Sequence, residues 1–217
     1  MSREQNESGK RFYDITHPIS PQLAVWPGDT PFSLHAVAKI SRGSSVNLGA
    51  VTMSLHTGTH ADAPYHYSDK GETMEALSPE IYVGAAQVVD VTGFDLITIE
   101  VLENAAETVG VGQVERLLLK TGGWNVTTVF PEHIPVLAEN VPDYLNEKGI
   151  FLLGVDVPSV DQIDSKTLPI HHALGENGIH ILESLRLEDV PPGLYELIAL
   201  PLPLAGADGC PVRAVLR

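Results

Sequence analysis

At 217 residues, with 43% hydrophobic and 19% charged side chains, the chain has room for one domain with a sizeable core. Thirteen Lys and Arg against 28 Asp and Glu give a formal charge of −15, and no basic stripe occurs, which argues against nucleic acid or an anionic membrane surface as partner. A single cysteine excludes an internal disulfide framework, and no apolar run approaches the roughly 18 residues of a membrane span.

The polar opening, MSREQNESGKR, lacks the apolar stretch of a secretory signal, so a cytoplasmic protein is expected. Residues 1–11 read as a disordered tail and residues 12–217 as one domain. In "VWPGDTPF", Pro27 and Gly28 suit the central positions of a tight turn, with Trp26 at its lip. A tryptophan there either packs onto the body of the protein or offers a flat face to an aryl group. In "VNLGAVTMSLH" (46–56), Val51, Met53 and Leu55 alternate with Thr52, Ser54 and His56. That period of two predicts a half-buried strand ending near His56 and turning at Gly58.

Further strands are predicted in "AAQVVDV" (85–91), "VERLLLKTG" (114–122), "GIFLLGVDVPSV" (149–160), "GIHILES" (178–184) and "LYELIALPLPL" (194–204). Helical patterns occupy "TIEVLENAAETV" (98–109) and "IPVLAENVPDYLNEKG" (134–149), the second closed by Lys148 and Gly149. Strands interleaved with helices predict an α/β domain with a mixed sheet.

Two segments carry chemistry. "LHTGTHADAPYH" (55–66) places His56, His60, Asp62 and His66 close together. Its His-x-x-x-His spacing would suit a helical zinc site, but Thr57, Gly58 and Thr59 fill the gap and Pro64 follows, so a helix is disfavoured. The expectation is instead a loop in which His60 and Asp62 fold back beside His56. A solvated polar loop has the same composition, yet this density of imidazole and carboxylate fits a metal site better. "PIHHALGENGIHILESL" (169–185) supplies the remaining donors: Glu183 shares one face of a strand with Ile179 and Ile181, so its charge points inward and needs compensation. A metal would provide it; so would Arg186. His171 or His172 could add an imidazole, while His180 falls on the opposite face. The residues alone leave open whether one metal or two is bound.

"HTGTHADAPYH" resembles the HxGTHxDxPxH signature of the cyclase-type metal-dependent hydrolases, and the twelve-residue step from His171 to Glu183 resembles that family's second element. Within the family, "YDITHPISPQLAVWPGDTPF" (13–32), "HYSDKGETMEALSPEIYVGAAQVVDV" (66–91) and the terminal "LIALPLPLAGADGCPVRAVLR" are similar to the bacterial kynurenine formamidase (arylformamidase) group. The resemblance implies a single-domain α/β fold of the swivelling β/β/α type, with a mixed, barrel-like sheet flanked by helices, a homodimer, and two zinc ions per subunit. It implies that His56, His60, Asp62, His171 and Glu183 bind metal, with Asp62 bridging. His66 would be the acid/base, Trp26 would contact substrate, and the reaction would be hydrolysis of N-formyl-L-kynurenine to L-kynurenine and formate. The chain departs from the pattern at Gly175 and Glu176, where an apolar pair is expected, and at Pro203, where a basic residue is expected. With no G-x-S-x-G elbow and no cysteine near the histidines, the rivals are another metal-dependent amidase of the family, such as an isatin hydrolase, and a non-catalytic metal-binding scaffold.

Overall fold

The computed structural model describes residues 12–106, 111 and 114–217. The expected disordered tail lies outside the described residues. The strands are β1 (Tyr13–Asp14), β2 (Ser33–Ala38), β3 (Leu48–Thr52), β4 (His60–Asp62), β5 (Val83–Asp90), β6 (Leu96–Ile97), β7 (Arg116–Lys120), β8 (Val136–Leu137), β9 (Leu152–Val155), β10 (His180–Glu183), β11 (Gly193–Ile198), β12 (Gly209–Pro211) and β13 (Val215–Leu216). Three helices join them: α1 (Ile99–Ala105), α2 (Val141–Glu147) and α3 (Pro169–Glu176).

Nine strands form one sheet in the order β1-β13-β11-β5-β7-β9-β10-β4-β12. The centre, β5-β7-β9-β10, is parallel, and the flanking pairs are antiparallel. The sheet is mixed, as expected. Alternate residues of the central strands sort into two cores. Val88, Leu118, Leu152 and Leu182 join Ile15, Cys210 and Leu216 from near the two sheet edges in one cluster, which requires the sheet to curl around that face. Val89, Leu117, Leu119, Leu153 and Ile181 face the other way and pack with Leu102 of α1, Leu145 of α2 and Leu174 of α3. Leu118 is fully buried at the middle of the curl. Leu118→Ala should therefore destabilise the fold by about 2–5 kcal/mol, read as a lowered denaturant midpoint with unchanged slope.

Three sequence expectations are corrected, and one element is added. The predicted half-buried strand is β3, which pairs only with β2 in a separate hairpin and is exposed along its whole length. Period-two alternation marks a pleated strand but says nothing about what covers it. The loop expected to carry His60 and Asp62 is strand β4, paired on both sides. The helix expected over 134–149 starts only at Val141, because Val136–Leu137 pair with β6; Lys148 is nonetheless its C-cap and Gly149 follows with φ 77°. Finally, α3 was not expected: it is short and contains Gly175, and Asp161 caps it from outside by accepting the N–H groups of Ile170 and His171. Among the described residues no helix is long and apolar enough to cross a membrane.

Candidate metal centre

The centre is built where β4, β10 and α3 meet on the helix-covered face of the sheet. Antiparallel register sets Glu183 opposite His60 and Ile181 opposite Asp62, so His60, Asp62 and Glu183 share the face that Ile181 presents to α3. From α3, buried His171 reaches the same point, whereas His172 is exposed. His56 arrives from the irregular segment before β4. The backbone on either side is constrained: Ser184 and Leu168 have φ of 55° and 45°, values that non-glycine side chains adopt at a cost. Ser184 is held there by its carbonyl accepting the Thr59 hydroxyl at 2.6 Å and its N–H donating to Val157 O.

His56 Nδ1 lies 3.0 Å and His60 Nε2 3.3 Å from Asp62 Oδ1, and His60 Nε2 is 3.4 Å from Glu183 Oε2. His171 Nε2 is 3.7 Å from Asp62 Oδ2 and 3.5 Å from Glu183 Oε1. Two triads, His56–His60–Asp62 and Asp62–His171–Glu183, thus overlap at Asp62. Donors about 2.0–2.2 Å from a tetrahedral ion stand roughly 3.4 Å apart, which matches this spread.

Three histidines are oriented from outside the cluster. His60 Nδ1 donates to Gly58 O at 2.8 Å, and His171 Nδ1 donates to Asp161 Oδ2 at 2.6 Å. His56 Nε2 donates to Asp208 Oδ2 at 3.1 Å. Each anchored nitrogen must carry its proton, because a carbonyl or carboxylate only accepts. The opposite nitrogens therefore aim lone pairs at carboxylates. His60 Nε2 and both Asp62 oxygens are buried without a hydrogen-bond partner. Lone pairs facing lone pairs in a dry site are repulsive unless a cation stands between them. The residues fit a divalent metal.

The metal-free protein can relieve this only with protons. Burial alone would lower the imidazole pKa values, but hydrogen bonds to Asp62 and Glu183 raise His60 to about 10. Those to Asp161, Asp62 and Glu183 raise His171 to about 12, and those to Asp208 and Asp62 raise His56 to about 9. Against the penalty of burial, the same three histidines hold Asp62 well below the usual carboxylate range.

His66 sits beside the triads rather than in them. Its ring centroid is 4.1 Å from that of His56 and 5.9 Å from that of His171, its Nδ1 is 3.5 Å from Asp208 Oδ2, and its side chain is 30% exposed. Burial lowers its pKa despite Asp62, so it is neutral and able to accept a proton at neutral pH. Arg186, the alternative partner for Glu183, pairs with Glu188 instead; Glu183 Oε1 accepts the Val160 N–H. Trp26 is 37% exposed on its turn, where Asp29 N donates to Trp26 O and Gly28 has φ 90°. Its ring packs edge-on against Phe130 at 5.3 Å, Phe130 against Trp124, and Trp124 against His17. The row leads to Thr59, whose hydroxyl oxygen accepts the His17 N–H.

Sequence reasoning missed Asp161 and Asp208, the two carboxylates that orient His171 and His56. Neither lies in a histidine-bearing motif, and only Asp208 falls within a stretch that had been singled out, the C-terminal segment. Gly175, the departure from the family pattern, has a reason: a Cβ there would come within 2.6 Å of the Tyr67 ring, which lies against α3 with its centroid 5.6 Å from that of His171. Pro203 lies exposed between β11 and β12.

Residues 13–162 match the family model named Cyclase. A protein named kynurenine formamidase, from Bacillus cytotoxicus, is 47% identical over 204 residues, spanning 94% of this chain and 96% of its own. A solved structure of a predicted metal-dependent hydrolase from Bacillus stearothermophilus is 30% identical, superimposes with a TM-score of 0.78, and is covered over 97% of its length by 95% of this chain. Isatin hydrolase A from Ralstonia solanacearum shares the fold, with a TM-score of 0.81 at 23% identity over 95% of this chain and 91% of that one.

Proposed function

The chain belongs to the Cyclase family, and from that premise we propose that it is a metal-dependent amide hydrolase that cleaves N-formyl-L-kynurenine to L-kynurenine and formate. The observation that carries this reading is the meeting of buried, unpartnered lone pairs from His60 and Asp62 with His171 and Glu183, in a chain 47% identical to a kynurenine formamidase. His56, His60, Asp62, His171 and Glu183 would hold the metal, two zinc ions on the family resemblance. Zinc supplies Lewis acidity there, polarising the formamide carbonyl and making water a better nucleophile at neutral pH.

The chain's own groups do the rest. His66, neutral and partly exposed, takes the proton of the attacking water and returns it to the departing aryl amine, which cannot leave as an anion. Gly58, Asp161 and Asp208 hold the ring orientations of the ligand histidines, so the nitrogens facing Asp62 and Glu183 are aimed at the centre before an ion arrives and need only lose their protons. Trp26, packed edge-on with Phe130, offers an exposed ring face to the aryl group.

The substrate assignment is tested by comparing formate release from N-formylkynurenine with ring opening of isatin by zinc-loaded protein. A clear preference for the formamide is expected; the reverse preference would replace the substrate by a cyclic amide.

Metal capture carries a second expectation. At neutral pH His56, His60 and His171 hold protons in the metal-free protein, and each must lose one to become a ligand. Zinc affinity should therefore rise from about pH 6 to about pH 9, with protons released on binding, measured by calorimetry in buffers of different ionisation enthalpy. The metal-free fold should behave oppositely. Raised pKa values stabilise it below about pH 6.5, and that stabilisation fades as pH climbs through the raised values. Buffer-independent heats would remove the imidazoles from the ligand set.

A homodimer fits the β2–β3 hairpin. Leu34, Val37, Ile40, Val46, Leu48 and Val51 on and beside it are all more than half exposed, an apolar arm that a second subunit would cover.

A further inference from the structure

Of the two carboxylates that orient ligand histidines, Asp208 also reaches His66. It lies in the C-terminal stretch that resembled the family but suggested no chemistry. We infer that Asp208 is a positioning residue for His66: a single carboxylate oxygen, Oδ2, is shared between His56 Nε2 at 3.1 Å and His66 Nδ1 at 3.5 Å, locking both rings at once. This rests on the hydrolase reading above and extends it to a residue outside the ligand motifs.

Asp208 is fixed with respect to the centre by backbone. Its carbonyl accepts the Ala63 N–H at 2.9 Å, and the next residue, Gly209, stands in register with Asp62. The Asp208 carboxylate is thus carried immediately before β12, the strand beside the one that carries Asp62. Gly209 completes the arrangement, since a Cβ there would sit 2.8 Å from His56 Cε1 and 3.0 Å from Nε2. The bare backbone lets the imidazole come close to β12, and the preceding aspartate takes its N–H. Ring tilt between His56 and His66 is 39° at 4.1 Å, close enough for one carboxylate to serve both.

The consequence is geometric. With Nδ1–H of His66 directed at Asp208, the lone pair is on Nε2, the far side of the ring and the atom that must meet the reacting water. The same logic governs catalytic histidines oriented by a carboxylate. The 3.5 Å contact is long, as catalytic hydrogen bonds often are before substrate binds; Asp208 is partly exposed and free to close it by rotation.

The test uses the full chain with Asp208→Ala and Asp208→Glu. At saturating zinc, Asp208→Ala should lower kcat about 10–100-fold with KM changed by less than about threefold, because substrate contacts are intact. Asp208→Glu, which keeps a carboxylate, should recover part of the loss. In metal-free protein, imidazole nitrogen spectra should show His66 passing from one tautomer to an averaged mixture in Asp208→Ala, while His60 and His171, anchored by Gly58 and Asp161, stay unchanged. An unaltered His66 spectrum, or full kcat in Asp208→Ala, would overturn the inference. If the wild-type chain fails to release formate, the hydrolase reading falls instead, and the spectra still decide whether Asp208 positions His66.

Discussion

Asp62→Asn should abolish turnover, by about 10³-fold or more, and should lower the stability of the metal-free protein at neutral pH, where the protonated histidines lose the carboxylate they pair with. Asp62 is the one residue common to both triads, and its two oxygens face His56 and His60 on one side and His171 on the other. Asparagine keeps the volume but removes a negative charge that both cations would share. With His56, His60 and His171 protonated in the metal-free protein, the amide leaves their charges without a shared carboxylate, so the dry pocket loses an attraction both when empty and when filled. Wild-type protein should gain about 2.7 kcal/mol of stability at a zinc concentration a hundred times the dissociation constant. The variant should gain little. Thermal melts with and without zinc, set beside metal equivalents and formate release, separate these effects. A variant that keeps activity would remove Asp62 from the reaction centre.

His66→Ala should split the same measurements the other way. Metal content should remain near that of the wild type, because His66 belongs to neither inner triad, while kcat falls about 10²–10⁴-fold through loss of the proton carrier. The structure supplies a real alternative: ligand atoms of His56, His66 and Asp208 also lie within 4.8 Å of one another, so a metal could in principle use that group. Loss of one metal equivalent in His66→Ala would reassign His66 as a ligand. Unchanged turnover would take it out of the mechanism altogether.

The sequence was informative where chemistry and periodicity coincide in a short span. His56, His60 and Asp62 fall within seven residues of one chain segment, and Glu183 declared itself by sharing a period-two face with two isoleucines. The strands of the parallel centre were equally plain, since residues buried on both faces read as unbroken apolar runs. What was hidden depends on distance in the sequence. Asp208 and His56 are 152 residues apart, and no local pattern marks an aspartate as the acceptor for a remote imidazole. Helix α3 was hidden for a related reason: its N-terminus is capped by Asp161 rather than by its own flank. The exposed strand β3 misled in the opposite direction, because alternation within one segment cannot report what the rest of the molecule leaves uncovered.

The ladder β10-β4-β12 has a bearing on how a finished molecule is told from a misfolded one. A slide of β4 by a single residue would turn His60 and Asp62 to the far side of the sheet and present Ala61 and Ala63 in their place. Such a chain would be nearly as compact as the native one, yet blind to zinc. On the proposed ligand set, ion capture acts as an inspection of strand alignment: mass action rewards only molecules whose three strands are correctly paired, and zinc supplied during refolding should raise the yield of native protein without entering any earlier step.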